Sequence, residues 1–284
     1  LPTDRIVDQF EARGVNVLAT IVKAPDWARD PSGQQLLSDY NDFAEFVRFV
    51  VGRYHGKVDA WEIWNEQNLA HEMGGTVRVE DYAKMLEAAY QAAKSVDRSA
   101  VIVFGGLTPT GVNDPSVAID DVAYLESFYA LENGRYAMYF DMLGAHVNAT
   151  NHPPDKMFPD NPGEGNWADH PSFYFRRAEQ LHEVMAKYGD PRPVWITEFG
   201  WTTANQASGY EYGADVSEQD QADYLVGAFK WAQENWPWAR GMFVWNLNYS
   251  VITPPEDEKH PWSVLNADWS PRPAYEALRD MPKP

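Results

Sequence analysis

Short apolar runs alternate with longer amphipathic segments along the whole chain, and this alternation restricts the possible fold more than any other feature. A strand followed by a helix, repeated, gives parallel strands joined by right-handed crossovers. The runs are apolar at most positions, as expected for strands that are covered on both faces. They are Val15–Val22, Val58–Glu66, Ala100–Leu107, Phe140–Asn148, Pro193–Gly200 and Gly241–Asn248.

The segments between the runs show the spacing of amphipathic helices. Apolar residues recur at this spacing in Asp39–Gly56 and in Glu80–Ser95. Ser217, followed by Asp220, predicts a capping box at the start of another helix. A further helix is predicted over Asp4–Phe10, ahead of the first run. The chain is therefore predicted to be an α/β protein.

Two architectures fit this alternation: an open doubly wound sheet and a closed barrel. No glycine-rich dinucleotide-binding motif or Walker motif follows a strand. Polar or aromatic residues instead stand at the carboxyl ends of the runs, where barrel enzymes place their active sites. The sequence thus predicts a TIM (β/α)₈ barrel in one catalytic domain over residues 1–284. The residues at the run ends are Trp27, Asn65, Glu66, His146, Glu198 and Trp245.

The number of strand–helix units is too small for a closed barrel. Six units are visible, whereas closure needs eight. An open arc of six parallel strands would leave two bare edges. We therefore predict a barrel that is incomplete at its N-terminus, with the first two strands outside this chain. A split chain that is completed by an N-terminal segment or by a partner subunit is the alternative.

Composition narrows the class of partner. The formal net charge of −19 disfavours nucleic acid and anionic membranes and favours a neutral substrate, although the same charge also serves solubility alone. The absence of cysteine excludes disulfides, thiolate catalysis and cysteine-based zinc sites. The 12 tryptophans fit a carbohydrate site, because sugar C–H faces stack on aromatic rings. The compartment stays open, with a secreted protein favoured.

Two runs end in a carboxylate within an aromatic context, Trp61–Glu66 (WEIWNE) and Trp195–Gly200 (WITEFG). A charge at such a position is costly unless it has a partner or a purpose. Two carboxylates across a cleft are what glycosidic bond cleavage requires. One must be protonated to donate to the leaving oxygen, and the other must be ionised to attack the anomeric carbon. A structural role for each single glutamate is the alternative.

In these motifs the chain resembles the clan A glycoside hydrolases, most closely family 39-like and family 5-like bacterial enzymes. Trp64–Glu66 matches the acid/base motif of the clan's fourth strand, with Gln67 where proline usually follows. Thr197–Gly200 matches the nucleophile motif of its seventh strand. When the visible runs are counted as strands three to eight, both motifs lie on the strands that the clan requires. The resemblance implies a retaining glycoside hydrolase with Glu66 as general acid/base and Glu198 as nucleophile.

The resemblance also implies roles for other residues at the run ends. Asn65 is expected to donate a hydrogen bond to the sugar 2-hydroxyl. His146 is expected to flank the nucleophile or touch the sugar, and Trp245 to lie under the reacting ring. Trp27 and Trp201 are candidates for sugar subsites, with plain packing as the alternative for each. Neither a cofactor nor a metal is expected, because the loop histidines lack ligand spacing.

Strand parity adds two expectations about the run that ends at Glu66. Alternation places Glu62, Trp64 and Glu66 on one face, so Asn65 can share the site only through a bulge at the strand end. The same alternation turns Glu62 toward the barrel interior. A buried Glu62 needs a cation, which we expect from the absent strands.

Three rival functions stay open at this stage. A carbohydrate-binding barrel without catalysis would keep the aromatic residues, and a transglycosylase would share every residue named above. A metal-dependent barrel hydrolase lies outside sugar chemistry. Loops around the site determine which sugar and linkage are cleaved, and whether the action is exo or endo. A resemblance of folds does not predict these properties.

Overall fold

The structure is a computed structural model that describes residues 2–33, 35–165 and 167–283. Strands and helices alternate along these residues in the predicted manner. The strands are β1 (Leu18–Ile21), β2 (Ala60–Ile63), β3 (Val101–Leu107), β4 (Asn113–Asp114), β5 (Ala118–Ile119), β6 (Met142–His146), β7 (Val194–Phe199) and β8 (Ala239–Val244). The α-helices are α1 (Pro2–Glu11), α2 (Tyr40–Arg53), α3 (Val79–Val96), α4 (Asp121–Ala130), α5 (Arg177–Lys187), α6 (Glu218–Asn235) and α7 (Pro273–Asp280). Among the described residues, no helix is both long enough and apolar enough to cross a membrane.

Six strands form one sheet in the order β1-β2-β3-β6-β7-β8, and β4 pairs with β5 as a separate antiparallel ribbon. The pairs β1–β2 and β2–β3 are parallel without a register shift. The pair β7–β8 is also parallel, with register shifts on either side of the segment from Trp195 to Ile196. Each of the six runs that the sequence marks as strands is therefore confirmed as a strand of the sheet.

Every one of these strands is shorter than the run that predicted it. Some residues at the run ends follow their strands, whereas His146 and Glu198 lie within β6 and β7. Strand β2 ends at Ile63, so Glu66 follows the strand instead of closing it. Strand β8 ends at Val244, so Trp245 also follows its strand. The sequence overestimates the length of the strands, because apolar residues just outside a strand can be buried as fully as those within it.

The described chain divides into two compact units. The first unit is Leu1–Gly144 with Val184–Pro193, and the second unit is Ala145–Glu183 with Val194–Pro284. Strand β6 and helix α5 each contribute residues to both units. The expectation of a single domain over residues 1–284 stays a prediction.

The first unit is built around aromatic side chains from β3, α3 and α4. Tyr82 and Phe128 each contact Phe104 edge to face, at centroid distances of 4.8 and 4.9 Å. Phe140, just before β6, contacts Phe104 at 5.4 Å. All four rings are buried, and each contributes roughly 1.5–3 kcal/mol to folding.

The second unit is held by the packing of β7 against α6. Phe199 contacts Phe229 of that helix edge to face at 5.3 Å. The predicted capping box is confirmed: the Ser217 hydroxyl and the Asp220 carboxylate each bond the other residue's backbone N–H. Buried Arg272 donates to the Thr203 hydroxyl at 2.7 Å and so ties the segment before α7 to the loop after β7.

Four large apolar side chains of α1 and α2 are exposed. Exposed apolar groups on helices of a folded protein often mark a surface that another segment or chain covers. Strand β1 also lies at one end of the strand order. The completion of the sheet by further strands, or by a partner subunit, stays a prediction. The four side chains are Ile6, Phe10, Phe46 and Phe49.

Candidate active site

In the first unit, the segment after β2 leaves the strand conformation at Trp64. Trp64 and Glu66 have φ angles of 72° and 49°, in the left-handed region that residues other than glycine rarely adopt. Two backbone hydrogen bonds hold this segment, from Trp64 N to Ile21 O at 2.8 Å and from Glu66 N to Gly106 O at 2.9 Å. Asn65 and Glu66 are both half-buried. Such conformations persist where the surroundings enforce them, and they concentrate at functional sites.

The segment packs on Gly105 of β3, and the Tyr82 side chain fastens the two strands there. The Tyr82 hydroxyl donates to Ile63 O at 3.1 Å and accepts from Gly105 N at 2.7 Å. Buried Gln67 donates from Nε2 to Gly105 O at 2.7 Å. In the sequence, Gly105 is the first of two consecutive glycines at the end of an apolar run. The structure shows that Gly105 allows the segment bearing Glu66 to approach the sheet.

We expect Gly105→Ala to lower the free energy of unfolding by about 1–3 kcal/mol. An added Cβ would lie 2.6 Å from Ile63 O and 2.7 Å from Gln67 Oε1, so the segment must move. Urea unfolding measures the change. Gly52→Ala is the matched control, because its Cβ would meet nothing within 4 Å and alanine is favoured within helix α2. Equal stability of both variants would contradict the close approach.

Glu62 of β2 is buried, with 3% of its surface exposed. Its carboxylate accepts hydrogen bonds from the Thr20 hydroxyl at 2.8 Å and from Gly106 N at 3.0 Å. A buried carboxylate with two donors is partly compensated for the loss of water. The cation that we expect for Glu62 from the absent strands stays a prediction.

In the second unit, Glu198 lies near the carboxyl end of β7 and is half-buried. Asn148 donates from Nδ2 to Glu198 Oε1 at 2.7 Å. His146, at the end of β6, is 1% exposed, and one of its ring nitrogens lies within 4.8 Å of a Glu198 carboxylate oxygen. An imidazole nitrogen and a carboxylate oxygen are also common metal ligands, so treatment with a chelator tests whether a metal takes part.

Trp245 and Tyr249 form the aromatic part of the second unit near Glu198. Trp245 N donates to Phe199 O at 2.8 Å, and the half-buried Trp245 ring contacts Tyr249 at a centroid distance of 4.9 Å. Burial raises the pKa of Tyr249, and the negative charge of Glu198 raises it further. Tyr249 therefore keeps its hydroxyl proton near the Glu198 carboxylate. The peptide bond from Trp245 to Asn246 is cis.

The two tryptophans proposed for sugar subsites have opposite environments. Trp27, in a short 3₁₀ turn of the first unit, is 73% exposed. Trp201 is fully buried, donates from Nε1 to His152 O at 2.9 Å, and packs against Phe175 and Tyr224. The prediction of a subsite role for Trp201 is wrong, because a ring without exposed surface cannot stack on a sugar. The packing alternative applies to it.

Two residues near Glu198 are missing from the sequence-based site. In the sequence, Asn148 and Tyr249 lie within two formal glycosylation sequons, Asn148–Thr150 and Asn248–Ser250, which do not indicate a role at the active site. A signal for Asn148 exists, because it lies two residues after His146 and strand alternation puts both on one face. Tyr249 follows its strand by several residues, and no periodicity predicts its direction.

No protein-family model matches the sequence, and no curated protein matches it. Solved structures match it over nearly its whole length. One is a family 39 glycoside hydrolase from the gut symbiont Bacteroides cellulosilyticus WH2 (TM-score 0.69, 19% identity, 97% of this chain and 52% of that chain). Another is a monomeric β-xylosidase from Caulobacter crescentus CB15 (TM-score 0.68, 16% identity, 99% and 56%). A third is the catalytic core of a xylanase A (TM-score 0.63, 17% identity, 98% and 81%).

These similarities establish the fold. The chain has the α/β fold of the TIM-barrel type with six strand–helix units, as predicted, and the resemblance to clan A glycoside hydrolases is confirmed at the level of fold. The chain spans about half the length of the family 39 enzyme and of the β-xylosidase.

Proposed function

We propose that this chain is the catalytic part of a retaining glycoside hydrolase, with Glu66 as general acid/base and Glu198 as nucleophile. The observation that carries the proposal is the placement of these two carboxylates at the carboxyl ends of β2 and β7, which are strands of one parallel sheet. In barrel enzymes the active site forms at those ends. The fold shared with a family 39 glycoside hydrolase and a β-xylosidase supports the reaction class.

In the first step, ionised Glu198 attacks the anomeric carbon and forms an ester bond to the sugar. Protonated Glu66 donates its proton to the glycosidic oxygen, which leaves with the bonding electron pair. In the second step, Glu66, now ionised, takes a proton from water as the water oxygen attacks the same carbon. The ester bond to Glu198 breaks, and its carboxylate is restored. Two inversions at one carbon give net retention.

The exchange of roles by Glu66 follows from electrostatics. In the proposed mechanism both carboxylates act on one glycosidic bond, so an ionised Glu198 would disfavour a second negative charge and favour the protonated form of Glu66. Esterification removes the charge on Glu198, and the ionised form of Glu66 then becomes favourable. One side chain can therefore act as acid in the first step and as base in the second.

The other residues at the strand ends would bind the sugar. Asn65 is proposed to donate to the sugar 2-hydroxyl, and His146 to flank Glu198. The half-buried ring of Trp245 suits a platform under the reacting sugar. Exposed Trp27 is proposed to contact a more distant sugar unit. Specificity for a particular sugar then depends on the loops around these side chains.

We expect the purified protein to hydrolyse aryl β-xylosides or β-glucosides with net retention, and EDTA to leave the rate unchanged. Proton NMR of the first-formed product gives the anomeric configuration before mutarotation. Aryl β-xylosides are chosen because a β-xylosidase shares the fold, and aryl β-glucosides are the corresponding hexosides. An inverted product would contradict double displacement. Loss of activity in EDTA would instead support a metal-dependent hydrolase, and binding without turnover would support a carbohydrate-binding barrel.

A further inference from the structure

Asn148 makes a direct contact with the proposed nucleophile that the reaction scheme above does not use. We infer that Asn148 is a positioning residue: its side-chain amide orients the Glu198 carboxylate for attack on the anomeric carbon. This inference rests on the proposed role of Glu198 as nucleophile. The contact is the hydrogen bond from Asn148 Nδ2 to Glu198 Oε1, at 2.7 Å.

The backbone on both sides of Asn148 is fixed against β7 and the residue that follows it. Val147 N donates to Glu198 O at 2.9 Å, and Ala149 N donates to Gly200 O at 3.3 Å. These two backbone hydrogen bonds lie on either side of Asn148 and continue the pairing of β6 with β7. They fix the backbone of Asn148 beside Glu198. A donor on such a support has little freedom, so it can hold the carboxylate in one orientation.

The amide oxygen of Asn148 supports a role toward Glu198 in preference to a structural one. Asn148 Oδ1 is buried, and it has no hydrogen-bond partner among the described residues. A buried amide with a purely structural role usually satisfies both its donor and its acceptor. In Asn148 the amide N–H donates to the Glu198 carboxylate, whereas the buried amide oxygen has no partner among the described residues. The rotated amide would place Oδ1 against a carboxylate oxygen, so the negative charge itself selects the observed orientation.

A neutral amide suits this task better than a cation. A lysine or arginine would neutralise much of the negative charge of Glu198 and weaken its attack on carbon. The amide N–H has no charge to lose, and it cannot be deprotonated at the pH of an enzyme assay.

The test compares Asn148→Ala with Asn148→Asp in the hydrolysis of an activated aryl-glycoside near neutral pH. We expect Asn148→Ala to lower kcat about 10- to 100-fold, as for a lost hydrogen bond to a charged group, with KM little changed. We expect Asn148→Asp to lower kcat further, because the introduced carboxylate repels Glu198. A purely structural role predicts the reverse ranking, since aspartate keeps the shape of asparagine.

The second readout is trapping of Glu198 by a 2-deoxy-2-fluoro glycoside, followed by mass spectrometry of the labelled peptide. The inference predicts slower labelling in Asn148→Ala than in the unsubstituted protein. Asn151→Ala is the matched control, because Asn151 lies in the same loop as Asn148 but donates its amide N–H to the carboxylate of Asp215 at 3.1 Å. This variant is expected to behave as the unsubstituted protein. If Asn148→Ala does not fold, Asn148→Ser takes its place in the comparison with Asn148→Asp.

The outcomes separate the inference from the function on which it rests. If the unsubstituted protein is active and labelled at Glu198 while Asn148→Asp equals or exceeds Asn148→Ala, the positioning role is overturned and the glycosidase function stands. If Glu198 is not labelled in an active unsubstituted protein, the proposed nucleophile is wrong, and the inference about Asn148 is overturned with it.

Discussion

Glu198→Ala is expected to reduce kcat for glycoside hydrolysis on the order of 10⁴-fold or more, the largest effect of any single substitution in this chain. The variant cannot form the ester to the anomeric carbon, so only a direct attack by water remains. Steady-state hydrolysis of an activated aryl-glycoside measures the loss. Glu183→Ala is the control, because Glu183 is exposed on helix α5, and full activity is expected for it.

Azide tests the assignment of Glu198 more sharply than the loss of activity alone. In Glu198→Ala, azide fits the space left by the carboxylate and attacks the anomeric carbon directly. One inversion then gives a glycosyl azide of the opposite configuration to the substrate. An azide product of retained configuration, or near-normal hydrolysis without azide, would assign the nucleophile to another residue.

Glu66→Gln is expected to have the second-largest effect, and its size should depend on the leaving group. Substrates with poor leaving groups need the proton from Glu66 and are expected to lose about 10²- to 10⁴-fold in kcat/KM. Activated aryl-glycosides should keep a fast first step, because their leaving group departs as a stable anion. A steeper dependence of kcat/KM on the pKa of the leaving group is the measurement. Equal losses for all leaving groups would contradict the role of general acid.

The second step gives an independent check on Glu66. Without the base, the glycosyl-enzyme accumulates, and a burst of aryl alcohol precedes slow turnover. Azide needs no deprotonation, so it should rescue the second step in Glu66→Ala and yield a glycosyl azide of retained configuration. The control is Glu45→Gln, on the exposed side of helix α2, for which neither burst nor rescue is expected. Opposite azide configurations in the Glu66 and Glu198 variants would establish the two roles together.

Features that depend on neighbouring residues in sequence were predictable. The strands β1, β2, β3, β6 and β7 lie within their apolar runs, and β8 overlaps its run from Gly241 to Val244. The capping box of α6 lies at its predicted residues. Both follow from local chemistry, namely burial on two faces and the satisfaction of the first N–H groups of a helix. Glu66 and Glu198 could be selected as candidates because a charge that ends an aromatic strand is unusual.

Features that depend on long-range neighbours were not predictable. By sequence, Trp201 is a candidate for a sugar subsite with plain packing as the alternative, and the structure buries it against Phe175 and Tyr224, which are more than 20 residues away in the chain. Asn148 was overlooked because its amide gains a role only where the fold brings β6 beside β7. The positive φ angles of Trp64 and Glu66 occur in the segment that packs closely on Gly105, which is about 40 residues away in the sequence.

The amino-acid sequence by itself determined the alternation of parallel strands and helices and the two candidate carboxylates. Hydrophobic periodicity, helix capping and the cost of a charge at a strand end each involve only a few neighbouring residues. They can therefore be recognised in the sequence without the structure. Only the tertiary structure decided which aromatic rings are buried, how the segment after β2 turns, and which side chain holds the Glu198 carboxylate. These depend on contacts between residues tens of positions apart, and such contacts exist only once the chain has folded.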